Sequence, residues 1–307
     1  MMMMHMLLLG QSCVRCWPKQ QRYKLEDDAA RPFSGMTMGY WGAVTSDYDF
    51  CEKNYALSHY VAEFFSTFSS IPIILYGFYF LMQCVQYKHN YKLILSSFGV
   101  IVVGIGSFVF HGTMKRTGQM LDEIPMLWCS LFMLYTSLAL FRFSNPSCTK
   151  WLGALLLCFG MLNTALYFVG GFVYFISSYI LTVAMVVFTT IYHAMQKSSD
   201  KKLQQFAFRA ILFYAGGFFV LWLPEQVLCG NQLLPDAPVS SLSELPIPLH
   251  AFFHFTSALG PYYWLTFAVY KDLHINKQEH VDVAYYRNYL SIGVALPVVE
   301  PKTAKQV

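Results

Sequence analysis

Long apolar stretches alternate with short polar loops along most of this chain. Seven stretches reach about 20 residues, the length that crosses the hydrocarbon core of a bilayer as an α-helix. They cover residues 61–84, 92–112, 119–141, 151–169, 171–193, 206–228 and 248–270. Only 12% of the residues are charged, against about 25% in soluble domains. The pattern predicts an all-α integral membrane protein, a seven-transmembrane helix bundle.

The basic residues of the loops predict how this bundle is oriented. Four alternate loops carry Lys and Arg: Lys88 and Lys92; Arg142 and Lys150; Lys197, Lys201 and Lys202; Lys271 and Lys277. The opposite loops carry Lys115 and Arg116, then no charge, then Asp236 and Glu244. The positive-inside rule places the first set in the cytosol, so the N-terminus is luminal and the C-terminus cytosolic. The chain has no basic cluster of the kind that binds nucleic acid.

This organisation predicts three regions. Residues 1–38 form a weakly ordered N-terminal leader, and residues 39–271 form the membrane domain. Residues 272–307 are polar and form a cytosolic tail, which we expect to be disordered.

Four ionisable residues are predicted at one luminal depth. His111 ends the second stretch, Asp122 begins the third, and His250 and His254 begin the seventh. Residues four apart share a helix face, so His250 and His254 can aim at one point, as in HExxH zinc enzymes. The stretch here reads HAFFH and lacks the glutamate base of that motif.

His111 can supply a third nitrogen, and three protein ligands with an open position are typical of catalytic zinc. Ser107 shares the face of His111, and Asp122 can take the role of the missing base. The alternative is that these histidines pack or form hydrogen bonds within the bundle. Ionisable residues in membrane spans are costly and usually functional, which favours the zinc site.

A second polar cluster precedes the first apolar stretch and continues into it. It consists of Asp49, Glu52, Asn54 and Glu63, whose hard oxygens at flexible spacing suit Ca²⁺. The alternative is the ordinary start of a helix, where acidic residues are common. Taken alone, the pattern favours the helix start.

Four segments together resemble the alkaline ceramidase family, in particular its phytoceramidase branch, within the wider CREST group. They are GYWGAVTSDYDFCEKNY, GSFVFHGT, QMLDEIPML and PLHAFFHF, starting at Gly39, Gly106, Gln119 and Pro248. The resemblance covers about residues 39–270. It implies His111, His250 and His254 as zinc ligands, with Asp122 beside the activated water and Ser107 close to the substrate carbonyl.

The resemblance also implies a calcium site. Its ligands are the side chains of Asp49, Glu52, Asn54 and Glu63 and the main-chain carbonyl of Phe50, where the family usually has tryptophan. It further implies a disulfide between Cys51 and Cys229. The predicted topology places both cysteines on the luminal side, where disulfides form; the alternative is two free thiols.

The function implied is hydrolysis of the N-acyl bond of ceramides, within the membrane, to a sphingoid base and a fatty acid. Endoplasmic reticulum and Golgi membranes fit the family. The alternative is a seven-transmembrane receptor of the adiponectin-receptor type, in which zinc is structural or supports only residual hydrolase activity. The Ser107 and Asp122 pair favours the enzyme, since a structural metal site needs neither. A transporter is disfavoured because no inverted repeat is seen.

Overall fold

The computed structural model describes residues 39–47, 49–141, 146–197, 199–228, 248–277, 279–287 and 294–301, which form a helical bundle with one hairpin. The first part of the bundle contains α1 (Phe64–Ser69), α2 (Ile71–Gln86), α3 (Tyr91–Thr113) and α4 (Arg116–Phe141). Next come α5 (Pro146–Gly170), α6 (Phe172–Ala194) and α7 (Lys201–Gly217). A π-helical segment, Phe218–Trp222, joins α7 to α8 (Leu223–Leu228). Helix α9 (Leu249–Tyr270) continues into a second π-helical segment, Lys271–Asn276.

Each of the seven apolar stretches coincides with helix, and five of these helical stretches are long and apolar enough to cross a membrane. The five are Phe64–Gln86, Tyr91–Thr113, Ser147–Gly170, Phe172–Ala194 and Lys201–Val227. Several apolar helices of this kind indicate a multi-pass, all-α membrane protein. Helices α4 and α9 have 26 and 22 residues but are not among the five. The seven-span count and the orientation therefore stay predictions.

Local signals fix several helix boundaries. The Asn90 side chain accepts a hydrogen bond from Lys92 N at the start of α3. The Asp200 side chain caps α7 in the same way through Leu203 N. Each cap satisfies a backbone donor that the helix leaves unpaired. Gly171 separates α5 from α6 with φ +58°, a conformation that glycine adopts without strain.

Helix α9 runs through the centre of the bundle. Every residue from Tyr262 to Tyr270 is buried, and α9 packs against α2, α3 and α7. The neighbouring helices α3 and α4 approach closely at Gly106, where an added Cβ would lie 1.9 Å from the Leu121 carbonyl oxygen. Glycine at position 106 therefore lets α3 touch the backbone of α4 beside Asp122.

The chain after α9 forms an antiparallel hairpin of β1 (Val281–Tyr286) and β2 (Leu296–Pro301), with Val283 opposite Val299. Leu296, Val298 and Val299 are buried, and the Tyr262 hydroxyl donates to the Pro297 carbonyl at 2.9 Å. The expectation of a disordered tail after residue 271 is wrong for these strands. Their apolar residues pack on α9, a long-range contact that the polar composition of the tail conceals. The predicted leader, residues 1–38, lies outside the described residues.

Candidate metal centre

Three buried histidines meet where α3 ends and α9 begins. His111 lies in the last turn of α3, and His250 and His254 lie in the first turns of α9. Their ligand nitrogens all lie within 4.8 Å of one another. Among the described residues, no other three potential metal ligands are grouped this closely. The prediction that these histidines meet is confirmed.

The second nitrogen of two of these rings is held by a neighbouring side chain. Glu63 Oε2 lies 2.6 Å from His111 Nδ1, and Ser69 Oγ lies 2.8 Å from His254 Nδ1. A carboxylate on Nδ1 fixes the proton there and leaves the Nε2 lone pair free to bind a metal. This arrangement orients His111 and His254 as ligands.

The donor set fits a zinc ion. His111 Nε2 and His250 Nε2 lie 3.2 Å apart. Since Glu63 accepts the Nδ1 proton of His111, the His111 Nε2 atom presents a lone pair toward His250. A cation between the two atoms would bind this lone pair and that of His250 Nε2 when His250 carries its proton on Nδ1, and three imidazoles with an open position are a typical zinc set. The buried His250 Nδ1 has no hydrogen-bond partner among the described residues.

Ser107 and Asp122 line one cavity together with His250 and His254. Ser107 Oγ lies 3.4 Å from His254 Nε2 and accepts a hydrogen bond from Ser70 Oγ at 3.0 Å. Asp122 is 9% exposed and sits on the turn of α4 that Gly106 allows to approach α3. A hydroxyl donor and a carboxylate therefore face the same space as His250 and His254.

The cavity is long and mostly apolar. On α6 its lining residues run from Phe172 to Thr190, which spans about 27 Å at 1.5 Å per residue. Valine, isoleucine, methionine and aromatic side chains from α3, α4, α7 and α9 form most of the wall. Such a space accommodates a hydrocarbon chain whose polar end lies at the histidines.

The five residues predicted for calcium make four different sets of contacts, and Glu63, the fifth residue, is described below. Asn54 Nδ2 donates to both carboxylate oxygens of Asp49, at 3.0 and 2.9 Å. Glu52 accepts from Phe65 N and from Ser66 N and Oγ, so it caps α1. The Phe50 ring packs on His250, with centroids 4.0 Å apart.

Glu63 provides the link between this segment and the histidines. Its Oε2 binds His111, while its Oε1 is buried and unpartnered among the described residues, as is Asn54 Oδ1. Two orphaned, hard oxygens are compatible with a Ca²⁺ ion.

Cys51 is disulfide-bonded. Cys84, Cys129, Cys148 and Cys158 are free. Cys229 lies outside the described residues, so its pairing with Cys51 stays a prediction.

Two site carboxylates escape the sequence analysis. Glu225 on α8 is fully buried and accepts a hydrogen bond from Cys51 N at 3.1 Å. This bond ties the N-terminal segment, the described residues that precede α1, to the bundle. Glu225 is the only acidic residue in the sixth apolar stretch, and that isolation is the signal that would find it. Glu123 accepts from Gln119 Nε2 at 3.0 Å and from the Tyr167 hydroxyl at 2.5 Å. It holds α4 against α5.

Ser69 and Ser70 also escape it. Both hydroxyls lie within 3.4 Å of His254 Nδ1. Serines are common in membrane helices, so neither residue type nor spacing singles them out.

Comparison with known proteins identifies the family. The ceramidase family model matches residues 42–300. A putative alkaline ceramidase of Dictyostelium discoideum, dcd3A, is 30% identical over 281 residues, covering 76% of this chain and 89% of that protein. Alkaline ceramidase 3 of Mus musculus is 27% identical over 235 residues, covering 76% and 86%. The alkaline ceramidase YPC1 of Saccharomyces cerevisiae is 40% identical over 90 residues, covering 29% and 28%. This chain belongs to the ceramidase family.

Proposed function

We propose that this protein is a zinc-dependent amidase that hydrolyses the N-acyl bond of ceramides to a sphingoid base and a fatty acid. The observation that carries the proposal is the cluster of three buried histidines, two of which, His250 and His254, line a long apolar cavity together with Ser107 and Asp122. The names of the relatives, all alkaline ceramidases, support the substrate class.

His111, His250 and His254 would hold the zinc ion. Zinc in a three-histidine site supplies a Lewis acid and a water of lowered pKa, which acts as a nucleophile near neutral pH. Asp122 accepts the proton of the attacking water and then delivers it to the leaving amine nitrogen. The Ser107 hydroxyl donates a hydrogen bond to the amide oxygen as negative charge develops there.

The remaining polar residues of the site position this machinery. Glu63 and Ser69 keep the Nε2 atoms of His111 and His254 free for the metal. Asp49, Glu52, Asn54, Glu63 and the Phe50 carbonyl would hold calcium, which would tie the N-terminal segment to the bundle. In the protein as described, Glu52 caps α1, so its carboxylate would have to exchange these hydrogen bonds for the ion.

The substrate and both products are lipids, which accounts for a site between membrane helices. We propose that α4 and α9 complete seven spans, with a luminal N-terminus, in the membrane of the endoplasmic reticulum or Golgi. A receptor with structural zinc would need neither a carboxylate nor a hydroxyl in the cavity, so the placement of Asp122 and Ser107 favours the enzyme.

The test is product analysis with purified protein and a panel of ceramide, dihydroceramide and phytoceramide. Wild type is expected to release a fatty acid and a sphingoid base in equal amounts. His254→Ala is expected to abolish release and to lower bound zinc. Phe255→Ala is the matched control, because Phe255 is 41% exposed on the outer face of the same turn. Full activity of a zinc-free His254→Ala protein would refute the mechanism.

A further inference from the structure

The cavity continues well beyond the metal centre. On α9 its lining includes His254, Ser257, Pro261 and Trp264. His254 and Trp264 are ten residues apart, which places Trp264 about 15 Å further along the helix axis. The cavity therefore has a deep arm that leads from the reacting groups toward the other end of the bundle.

A hydrogen-bonded pair closes this arm. The Trp264 indole donates from Nε1 to Thr190 Oγ1 at 3.1 Å, which joins α9 to α6 across the cavity. The Thr190 hydroxyl in turn donates to the Val186 carbonyl at 2.7 Å. Both side chains are almost completely buried. The indole is therefore fixed by a bond as well as by packing.

Below the pair, buried side chains of α7 and α9 pack together. Phe267 and Leu203 are fully buried, and Phe206 and Tyr270 pack edge to face with ring centroids 5.7 Å apart. None of these four residues lines the cavity. Trp264 and Thr190 thus form the floor of the arm, with a packed layer beneath them.

Helix α7 supplies the side wall at the same level. An added Cβ at Gly260 of α9 would lie 2.7 Å from Tyr214 Cβ of α7, so the two helices touch there. The two helices are antiparallel. One turn beyond Gly260 on α9 is Trp264, and one turn before Tyr214 on α7 is Ala210, so Ala210 lies at the level of Trp264. Ala210 lines the cavity and is buried.

We propose that Trp264, held by Thr190, sets the maximum length of the hydrocarbon chain that enters this arm, and so determines which ceramides are hydrolysed. The proposal rests on the proposed function. A chain that is too short leaves part of the arm unfilled, and each missing methylene loses about fourfold in apolar binding. A chain that is too long meets a fixed indole and cannot place its amide at Ser107.

The experiment measures fatty acid release from two series of competing ceramides. In one series the acyl chain varies and the sphingoid base is constant; in the other the base varies and the acyl chain is constant. Trp264→Ala is expected to shift the preferred length to longer chains in one of these series. Chains two or more methylenes longer than the wild-type optimum should gain about tenfold or more relative to that optimum.

Two further variants and a control keep the test decisive if Trp264→Ala folds poorly. Ala210→Leu narrows the arm at the level of the floor and should shift the preference to shorter chains. Thr190→Val keeps the volume and removes the hydrogen bond to the indole, so it should relax the length limit less than Trp264→Ala. Phe188→Ala is the control, because Phe188 is 69% exposed on the outer face of α6.

The two proposals fail in different ways. An active wild type whose length profile is unchanged in Trp264→Ala and Ala210→Leu would overturn the floor assignment and leave the amidase intact. A wild type that releases fatty acid from no ceramide would overturn both.

Discussion

Helices α5 and α9 have similar lengths, 25 and 22 residues, but opposite surroundings. The apolar window of α5 is only 11% buried, and Trp151, Leu155 and Phe168 face outward. Helix α9 is buried along its whole second half and carries two of the clustered histidines, yet it is less apolar than the five helices that could cross a membrane and is not among them. Lipid requires an apolar surface, whereas the bundle interior accepts polar groups that find partners there. Mean hydropathy thus selects the exposed helix α5 but not the buried helix α9, although α3, which carries His111, is selected as well.

Asp122 provides the strongest test of the polar interior. Asp122→Asn keeps the volume and removes the proton acceptor, so turnover is expected to fall by about two to four orders of magnitude. Bound zinc, measured by elemental analysis, should be unchanged. Leu121→Ala is the matched control, since Leu121 is the adjacent residue and is 54% exposed. Turnover retained by Asp122→Asn would remove this residue as the base.

Two phenylalanines test the apolar side of the comparison. Phe267→Ala in α9 removes a fully buried ring and should cost about 3–5 kcal/mol of unfolding free energy. Phe168→Ala in α5 removes a ring that is mostly exposed and should cost under about 1 kcal/mol. Unfolding in detergent, followed by circular dichroism, measures both. Equal losses would show that α5 is covered by protein in its native state.

The metal centre itself is only partly predictable from the sequence. His250 and His254 can be paired by helical spacing, and loop charges bring His111 and Asp122 to the same depth. Glu63 is different: its acidic surroundings suggest a helix start or a calcium ligand, and only the fold places its Oε2 on His111. The contact of Ser69 cannot be predicted from the sequence either, because its partner, His254, lies 185 residues further along the chain.

The fold shows the same limit. Helix positions follow from apolar length, since each helix satisfies its own backbone hydrogen bonds. The hairpin does not, because Leu296 and Val299 are buried in a core cluster formed with helices far away in the sequence, α9 among them. Because the tail is polar overall, the sequence alone predicts disorder and gives no sign that the short apolar segment forms a strand.

Ser69→Ala tests the support of a metal ligand on the α9 side. Loss of the hydroxyl on His254 Nδ1 should weaken zinc affinity by about 10–100-fold, because the ring loses its orientation and tautomer preference. Competition with a zinc chelator measures the affinity. Ser177→Ala is the control, since its hydroxyl is on the exposed face of α6 and bonds only its own helix among the described residues. Unchanged zinc affinity in Ser69→Ala would assign that hydroxyl to packing alone.

Substitution of two tyrosines compares a buried contact of the hairpin with an exposed one, for which the smallest loss of unfolding free energy is expected. The Tyr262 hydroxyl accepts from Gln83 Nε2 at 3.0 Å and donates to the Pro297 carbonyl, so Tyr262→Phe leaves two buried partners unpaired. The expected loss is about 1–3 kcal/mol. The Tyr286 hydroxyl donates to Glu300 Oε1 at 2.7 Å on the surface, where water replaces it. Tyr286→Phe should therefore cost within about 0.5 kcal/mol. Equal losses of unfolding free energy in the two variants would show that the exposed Tyr286–Glu300 contact stabilises the hairpin as much as its buried contact with α9.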